Sequence, residues 1–116
     1  MDTMAKQSFI RRIALENLQD PQGTGILWSR HAITELVNDR LGRQQVERAL
    51  QQCQVIEDYS ELHRPLPDCL VLAELDEREP IHVVVAIDAA RERILLVTVY
   101  RPSEKEWEHD WRTRKQ

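Results

Sequence analysis

Apolar positions follow two different rhythms along this chain. In the first half they recur at helical spacing. In the second half they crowd into short runs separated by polar turns. Phe9, Ile10, Ile13, Ala14 and Leu18 fall on one side of a helix, which predicts an amphipathic helix over residues 5–19. Asp20-Pro21-Gln22-Gly23-Thr24-Gly25 stops it, and this turn-rich stretch is linker-like. It would let the first helix pack loosely or on a partner. Ile26-Leu27-Trp28 then leads into Ser29, a good N-cap, and a second helix is expected to about Arg40 with Ala32, Ile33, Leu36 and Val37 as its apolar stripe. Leu41-Gly42 ends it. A third helix, residues 43–52, would bury Val46, Ala49 and Leu50 and make a helical hairpin with the second.

From Val55 the period changes. Val55–Tyr59, Cys69–Leu75, Ile81–Ile87 and Ile94–Tyr100 read as strands. His63–Asp68 reads as a loop, because Pro65 and Pro67 cannot serve inside a ladder. The polar turns Asp76–Pro80 and Asp88–Arg93 are short, so neighbouring strands should be antiparallel. The last two strands are apolar on both faces and belong in the middle of the sheet. Ser103-Glu104-Lys105-Glu106 has the form of a capping box, which predicts a short C-terminal helix carrying Trp107 and Trp111 on one face.

The pattern therefore gives an α+β fold: N-terminal helices packed on a three- to four-stranded antiparallel sheet, then a short C-terminal helix. At 116 residues the chain suits one domain, residues 26–116, preceded by a helical extension and linker at 1–25. A net charge of −4 provides no global field toward nucleic acid or anionic membranes, so any RNA site must be a local basic patch. Cys53 and Cys69 lack a redox or metal spacing and read as small buried hydrophobes. The polar N-terminus shows no signal peptide, and no apolar run approaches the roughly 20 residues of a membrane helix. A cytoplasmic location is expected, with no membrane partner.

Chemistry is concentrated in few places. His31, Glu35 and Asp39 share one face of the second helix, an arrangement suited to acid–base work, to a divalent metal, or simply to a solvated face. His82 interrupts the run Ile81–Val85. It is either a core histidine bonded to backbone or a functional imidazole projecting from a rigid sheet. Thr98 and Tyr100 point to one face of the last strand and Arg101 to the other. If residue 82 pairs opposite residue 100, both side chains share a face; a slip of one residue separates them. Trp107 and Trp111 either dock on the core or anchor a partner. His63 and His109 look like surface residues. No glycine-rich phosphate loop, zinc-ligand spacing or nucleophile elbow is present, and no cofactor is implied.

Taken in order, Trp28-Ser29-Arg30-His31-Ala32, Val46–Leu50, Val55–Tyr59, Ile81-His82-Val83-Val84 and Val97-Thr98-Val99-Tyr100-Arg101-Pro102 with Trp107 resemble the bacterial domain-of-unknown-function family numbered 4258 over roughly residues 26–114. The resemblance implies a RelE/barnase-like fold and a toxin-like endoribonuclease of a toxin–antitoxin pair, with a zinc-finger antitoxin of the MqsA type as partner. By position it implies His31, His82 and Tyr100 as catalytic groups in metal-independent acid–base cleavage of RNA, with Ser29, Arg30, Thr98 and Arg101 holding the substrate. The family pattern has arginines where this chain has Glu35 and Asp39, and carboxylates there would repel an RNA phosphate. That departure points to the alternative, a catalytically inactive interaction module of the same fold that binds another protein or itself as a homodimer.

Overall fold

A computed structural model describes residues 1–20, 22–59 and 65–116. Helix α1 spans Thr3–Gln19, capped by the Asp2 carboxylate on the Ala5 amide. Strand β1 is Ile26–Trp28, α2 is Arg30–Asn38 and α3 is Arg43–Ala49, the last continuing into a 3-10 turn at Leu50–Gln52. Strands β2 (Gln54–Asp58), β3 (Asp68–Glu74), β4 (Pro80–Asp88) and β5 (Arg93–Tyr100) follow. The loop expected at His63–Asp68 lies partly outside the described residues, and His63 with it.

All five strands form one sheet in the order β1-β5-β4-β3-β2. Strands β2 to β5 are an antiparallel meander, as the short turns require. Two expectations are corrected. The sheet has five strands, and it is mixed, because Ile26–Trp28 is a strand lying parallel to β5 with Ile26 opposite Ile94. Three residues between Gly25 and an N-cap are too short to show a period, and their partner is far away in the chain. Strands β4 and β5 are interior, as their two-sided apolarity implied.

The helices cover one face. Phe9, Ile10, Ile13 and Ala14 of α1 meet Val71, Val83, Val85, Leu96 and Val99 in a continuous core. Polar contacts fix α1 in place as well. Lys6 is buried, its ammonium 2.6 Å from Asp58 and 3.1 Å from the Asp68 carbonyl. Gln7 Oε1 accepts the Val55 amide, and Arg11 Nε donates to the Cys53 carbonyl. Buried lysine is tolerated when its charge is paired. The first helix is thus packed into the core rather than loosely held.

Helix α2 departs from its expected stripe. Ala32 is fully buried, whereas Ile33 and Val37 are 47% and 70% exposed. The helix lies along the β5 edge, where β1 has ended, and it completes that edge with side chains. A bulge in β5 leaves Val97 without a β4 partner, and Ser29 Oγ donates to the Val97 carbonyl at 2.8 Å. Glu35 Oε1 then accepts the Val99 amide at 2.9 Å, standing where a neighbouring strand's carbonyl would be.

The C-terminal segment is the other correction. It forms no helix. Ser103 caps a single turn, its Oγ accepting from Lys105 and its carbonyl from Glu106 and Trp107. The chain then folds back: Asp110 accepts the Arg112 and Thr113 amides, Trp111 adopts φ +61°, and Trp107 bridges to Arg114. A helix this short is marginal in water, and the folded-back strap buries Trp107 to 2% exposure. Burial of that indole outweighs the local capping signal.

Candidate functional site

The face opposite the helices is built from the alternate residues of β3, β4 and β5. Leu72, His82 and Tyr100 form one cross-strand row; Leu70, Val84 and Thr98 form the next. The strap of residues 103–116 lies over part of this face. The register puts His82 directly opposite Tyr100, so the two imidazole and phenol side chains share a face as one of the two registers required.

His82 is fully buried, yet both ring nitrogens are engaged. Nε2 lies 2.7 Å from the Trp111 carbonyl and Nδ1 lies 3.1 Å from the Tyr100 hydroxyl. A carbonyl oxygen can only accept, so Nε2 carries the proton. In the neutral ring Nδ1 is then an acceptor, and Tyr100 donates to it. Burial pushes the His82 pKa below the ordinary histidine value, partly opposed by the hydrogen bond to Trp111 and by the Glu57 charge. The neutral tautomer is therefore the form present near neutral pH. Trp107 stacks edge-on against the imidazole at 4.4 Å between centroids, and Tyr100 sits edge-on at 5.2 Å. Tyr100 itself is half-buried, and burial raises its pKa, which keeps the hydroxyl protonated.

A second charged cluster holds the strap down. Arg114 makes two hydrogen bonds to Glu57, at 2.6 and 3.0 Å, and its guanidinium lies 4.6 Å over the Trp107 ring. Tyr59 donates to the same carboxylate at 2.7 Å. The Arg114 hydrogen bonds hold the Glu57 carboxyl below its usual range.

The remaining residues singled out from the sequence are placed as follows. His31 is exposed on α2, with Nε2 3.3 Å from Glu35. No hydrogen bond or ion pair joins it to His82 or Tyr100 among the described residues. Among those residues no three His, Cys, Asp or Glu side chains stand close enough to hold a metal ion, so His31, Glu35 and Asp39 do not gather into one. Ser29 accepts the Ala32 amide and donates to Val97, so its hydroxyl serves the fold. Arg30 is exposed in the first turn of α2, and Thr98 is half-buried on the Tyr100 face. Arg101 ion-pairs with Glu79 and reaches the Asp39 carbonyl at 3.4 Å. Cys53 and Cys69 are buried and free, and desolvation pushes both thiols up to about 12. His109 is exposed.

A family model described as "Domain of unknown function (DUF4258)" matches residues 28–101. The chain belongs to this family. The matched region begins at the end of β1 and stops at the residue after β5, so Ser29, His31, His82 and Tyr100 lie within it. Helix α1 and the strap with Trp107, Trp111 and Arg114 lie outside it. No curated protein and no solved structure was found to match the chain. Among the described residues no helix is long and apolar enough to cross a membrane.

Sequence reasoning missed three participants: the Trp111 carbonyl, Glu57 and Arg114. A backbone acceptor has no sequence signal. The Glu57–Arg114 pair depends on the strap's path, for which the local capping box predicts a helix instead.

Proposed function

We propose that this DUF4258 protein is a toxin-like endoribonuclease that cleaves RNA by metal-independent acid–base chemistry. The observation that carries the reading is the hydrogen bond from the half-buried Tyr100 hydroxyl to the buried, neutral His82. A phenol alone is a poor base. Backed by an imidazole that accepts its proton, it can take a proton from a ribose 2′-hydroxyl as its own moves to Nδ1. The Trp111 carbonyl plays the orienting part: it fixes the tautomer and stabilises the imidazolium that forms. The 2′-oxygen attacks the adjacent phosphorus, and the 5′-oxygen of the next nucleotide departs with a proton. His31, exposed at the start of α2, is assigned that acid role, and the exposed Arg30 beside it supplies positive charge, Arg101 being paired with Glu79. The partner class that goes with this reading is a zinc-finger antitoxin.

The test is cleavage of a fluorophore–quencher RNA by the purified chain, with Tyr100→Phe, His82→Gln and His31→Ala. Tyr100→Phe removes only the hydroxyl and should abolish cleavage while the melting curve stays close to wild type. Undiminished cleavage by Tyr100→Phe would refute the mechanism.

A second reading is a catalytically silent interaction module. Leu27, Ile33 and Val37, 38%, 47% and 70% exposed, give β1 and α2 an outward apolar surface, while Trp107 is buried and unavailable as an anchor. Such a module would bind another protein or a second copy there. Light scattering of wild type against Val37→Glu separates the readings: a monomer in both, together with RNA cleavage by wild type, sets this one aside.

A further inference from the structure

We infer that the outward ridge of α2 is a docking surface for an acidic amphipathic helix of another protein, an inference that rests on the interaction reading of this surface and holds whether or not the chain cuts RNA. At about 100° per residue, Arg30, Ile33 and Val37 fall within roughly 60° of one another around the helix. Val37 is the most exposed large hydrophobic side chain among the described residues, and Ile33 stands one turn before it. Arg30 lies at one end of this ridge and Arg40, just past the C-cap, at the other; both are exposed. At 1.5 Å per residue the two ends are roughly 15 Å apart.

The charge at both ends is uncommitted. Arg12, Arg43, Arg91, Arg93, Arg101 and Arg114 each form an ion pair, and Arg11 donates to the Cys53 carbonyl. The side chains of Arg30 and Arg40 form neither an ion pair nor a hydrogen bond with a described residue. The carboxylates of the helix itself face elsewhere. Glu35 and Asp39 both fall about 160° around from Val37. Glu35 accepts the Val99 amide and stands 3.3 Å from His31. Asp39 ends the helix on that same side, where Arg101 reaches its carbonyl.

An apolar pair between two unpaired cations is the complement of a helix carrying an apolar pair between two carboxylates. A second copy does not fit. A two-fold contact would run α2 antiparallel to itself and set the Arg30 end of one copy on the Arg40 end of the other, cation on cation. A phosphate backbone does not fit either, because the stretch between the arginines is apolar and offers it no donor. The size agrees. With Leu27 the surface has three exposed apolar side chains, far short of the roughly 20–30 residues a side in a stable dimer, but enough for one face of one short helix. The other exposed apolar side chains, Met1, Met4, Leu15 and Leu18, lie on or just before α1, where Arg12 is already held by Glu16 and Glu92.

The experiment is fluorescence anisotropy of the full chain with a fluorescein-labelled helical peptide of about 18 residues, long enough to hold a helix. It carries a Leu pair at i and i+4 with Glu at i−3 and i+7, and a twin peptide has Lys in place of both Glu. Wild type should bind the acidic peptide roughly tenfold more tightly than the basic one. Arg30→Glu/Arg40→Asp should reverse that order. Asp is chosen at residue 40 because its φ is +54° and Asp tolerates that region. Val37→Asp should weaken binding of both peptides. The single variant Arg30→Glu should narrow the preference, which keeps the test decisive if the double variant fails to fold. Equal affinity for the two peptides, no binding of the acidic one, or an unchanged order in the charge-reversed variant overturns the inference. If light scattering shows a dimer that Val37→Asp dissolves, the ridge belongs to a second copy: the interaction reading stands and the acidic partner falls. If single-stranded RNA displaces the acidic peptide and loses its own grip in Arg30→Glu, the ridge belongs to nucleic acid and the inference falls. A monomer that binds neither peptide takes the interaction reading down with it.

Discussion

His82 makes the fold answerable to pH in a range where few groups titrate. Its ring is fully buried and donates to the Trp111 carbonyl, and its pKa lies below the ordinary value because burial disfavours the cation. Above the unfolded-state pKa of about 6.5, neither folded nor unfolded chain carries the extra proton, and the contribution to stability is complete. As pH falls below that value the unfolded chain gains a proton that the folded chain still refuses. Stability drops until the folded-state pKa is passed. The slope for one proton is at most about 1.4 kcal/mol per pH unit. The perturbation is His82→Gln. Glutamine can donate to Trp111 through its amide nitrogen and accept from Tyr100 through its oxygen, but it does not titrate. The assay is urea unfolding of both proteins from pH 7.5 to 5.0, taking the difference in unfolding free energy at each pH. The advantage of wild type over His82→Gln should shrink steadily below about pH 6.5. Using the difference cancels Glu57, whose pKa is lowered and whose contribution fades at more acid pH, on the carboxylate side of the window. His82→Phe should cost about 1–3 kcal/mol at pH 7.5, because the Trp111 carbonyl is left buried without a donor. Parallel curves for wild type and His82→Gln across this range would refute the burial argument.

Three further outcomes are expected. Glu35→Ala should cost about 1–2 kcal/mol and speed hydrogen exchange at the Val99 amide, which loses its acceptor; unchanged exchange there would mean the carboxylate does not complete the edge. Arg114→Ala should change stability by about 1 kcal/mol or less, since the side chain is 54% exposed, yet should expose the strap to chymotrypsin at Trp111; no change in cleavage rate would count against the Glu57 pair as its fastening. Cys53 and Cys69, with thiols held up near 12 by burial, should stay unreactive toward a disulfide reagent in the native protein and both react in denaturant; rapid native labelling would show the core to be more open than described.

Which features were legible in the sequence follows from how local their causes are. The α1 stripe as far as Ala14, the Ser29 cap, the meander and the interior place of β4 and β5 each rest on a pattern within a dozen residues, and each is present, whereas Leu18 at the end of the expected stripe is exposed. The pairing of residue 82 with residue 100 was one of two registers, and alternation alone could not select it. What was not legible is nonlocal. Strand β1 is defined by Ile94–Leu96, and the exposure of Ile33 and Val37 by where β1 stops and α2 takes over the edge. The strap was misread because a capping box is a local preference, whereas the burial of Trp107 against His82 is a tertiary gain. Helical spacing offers Glu35 only as part of a polar face with His31 and Asp39; its bond to the Val99 amide depends on an edge 64 residues away.

The parallel contact between Ile26 and Ile94 also sets an order in time. Strands β2 to β5 can zip together through short turns, but β1 has no strand to lie against until β5 exists. On the ribosome, the apolar segment from Ile26 to Val37 emerges early and waits through the synthesis of the entire meander for its partner. Closing so distant a pair is slow compared with forming local turns. The last event of folding should be the arrival of β1 and α2 at the β5 edge, with the Trp28 indole reaching Glu47 only then. A nascent chain halted before residue 94 would carry that segment uncovered, and it is there that a chaperone would find its hold.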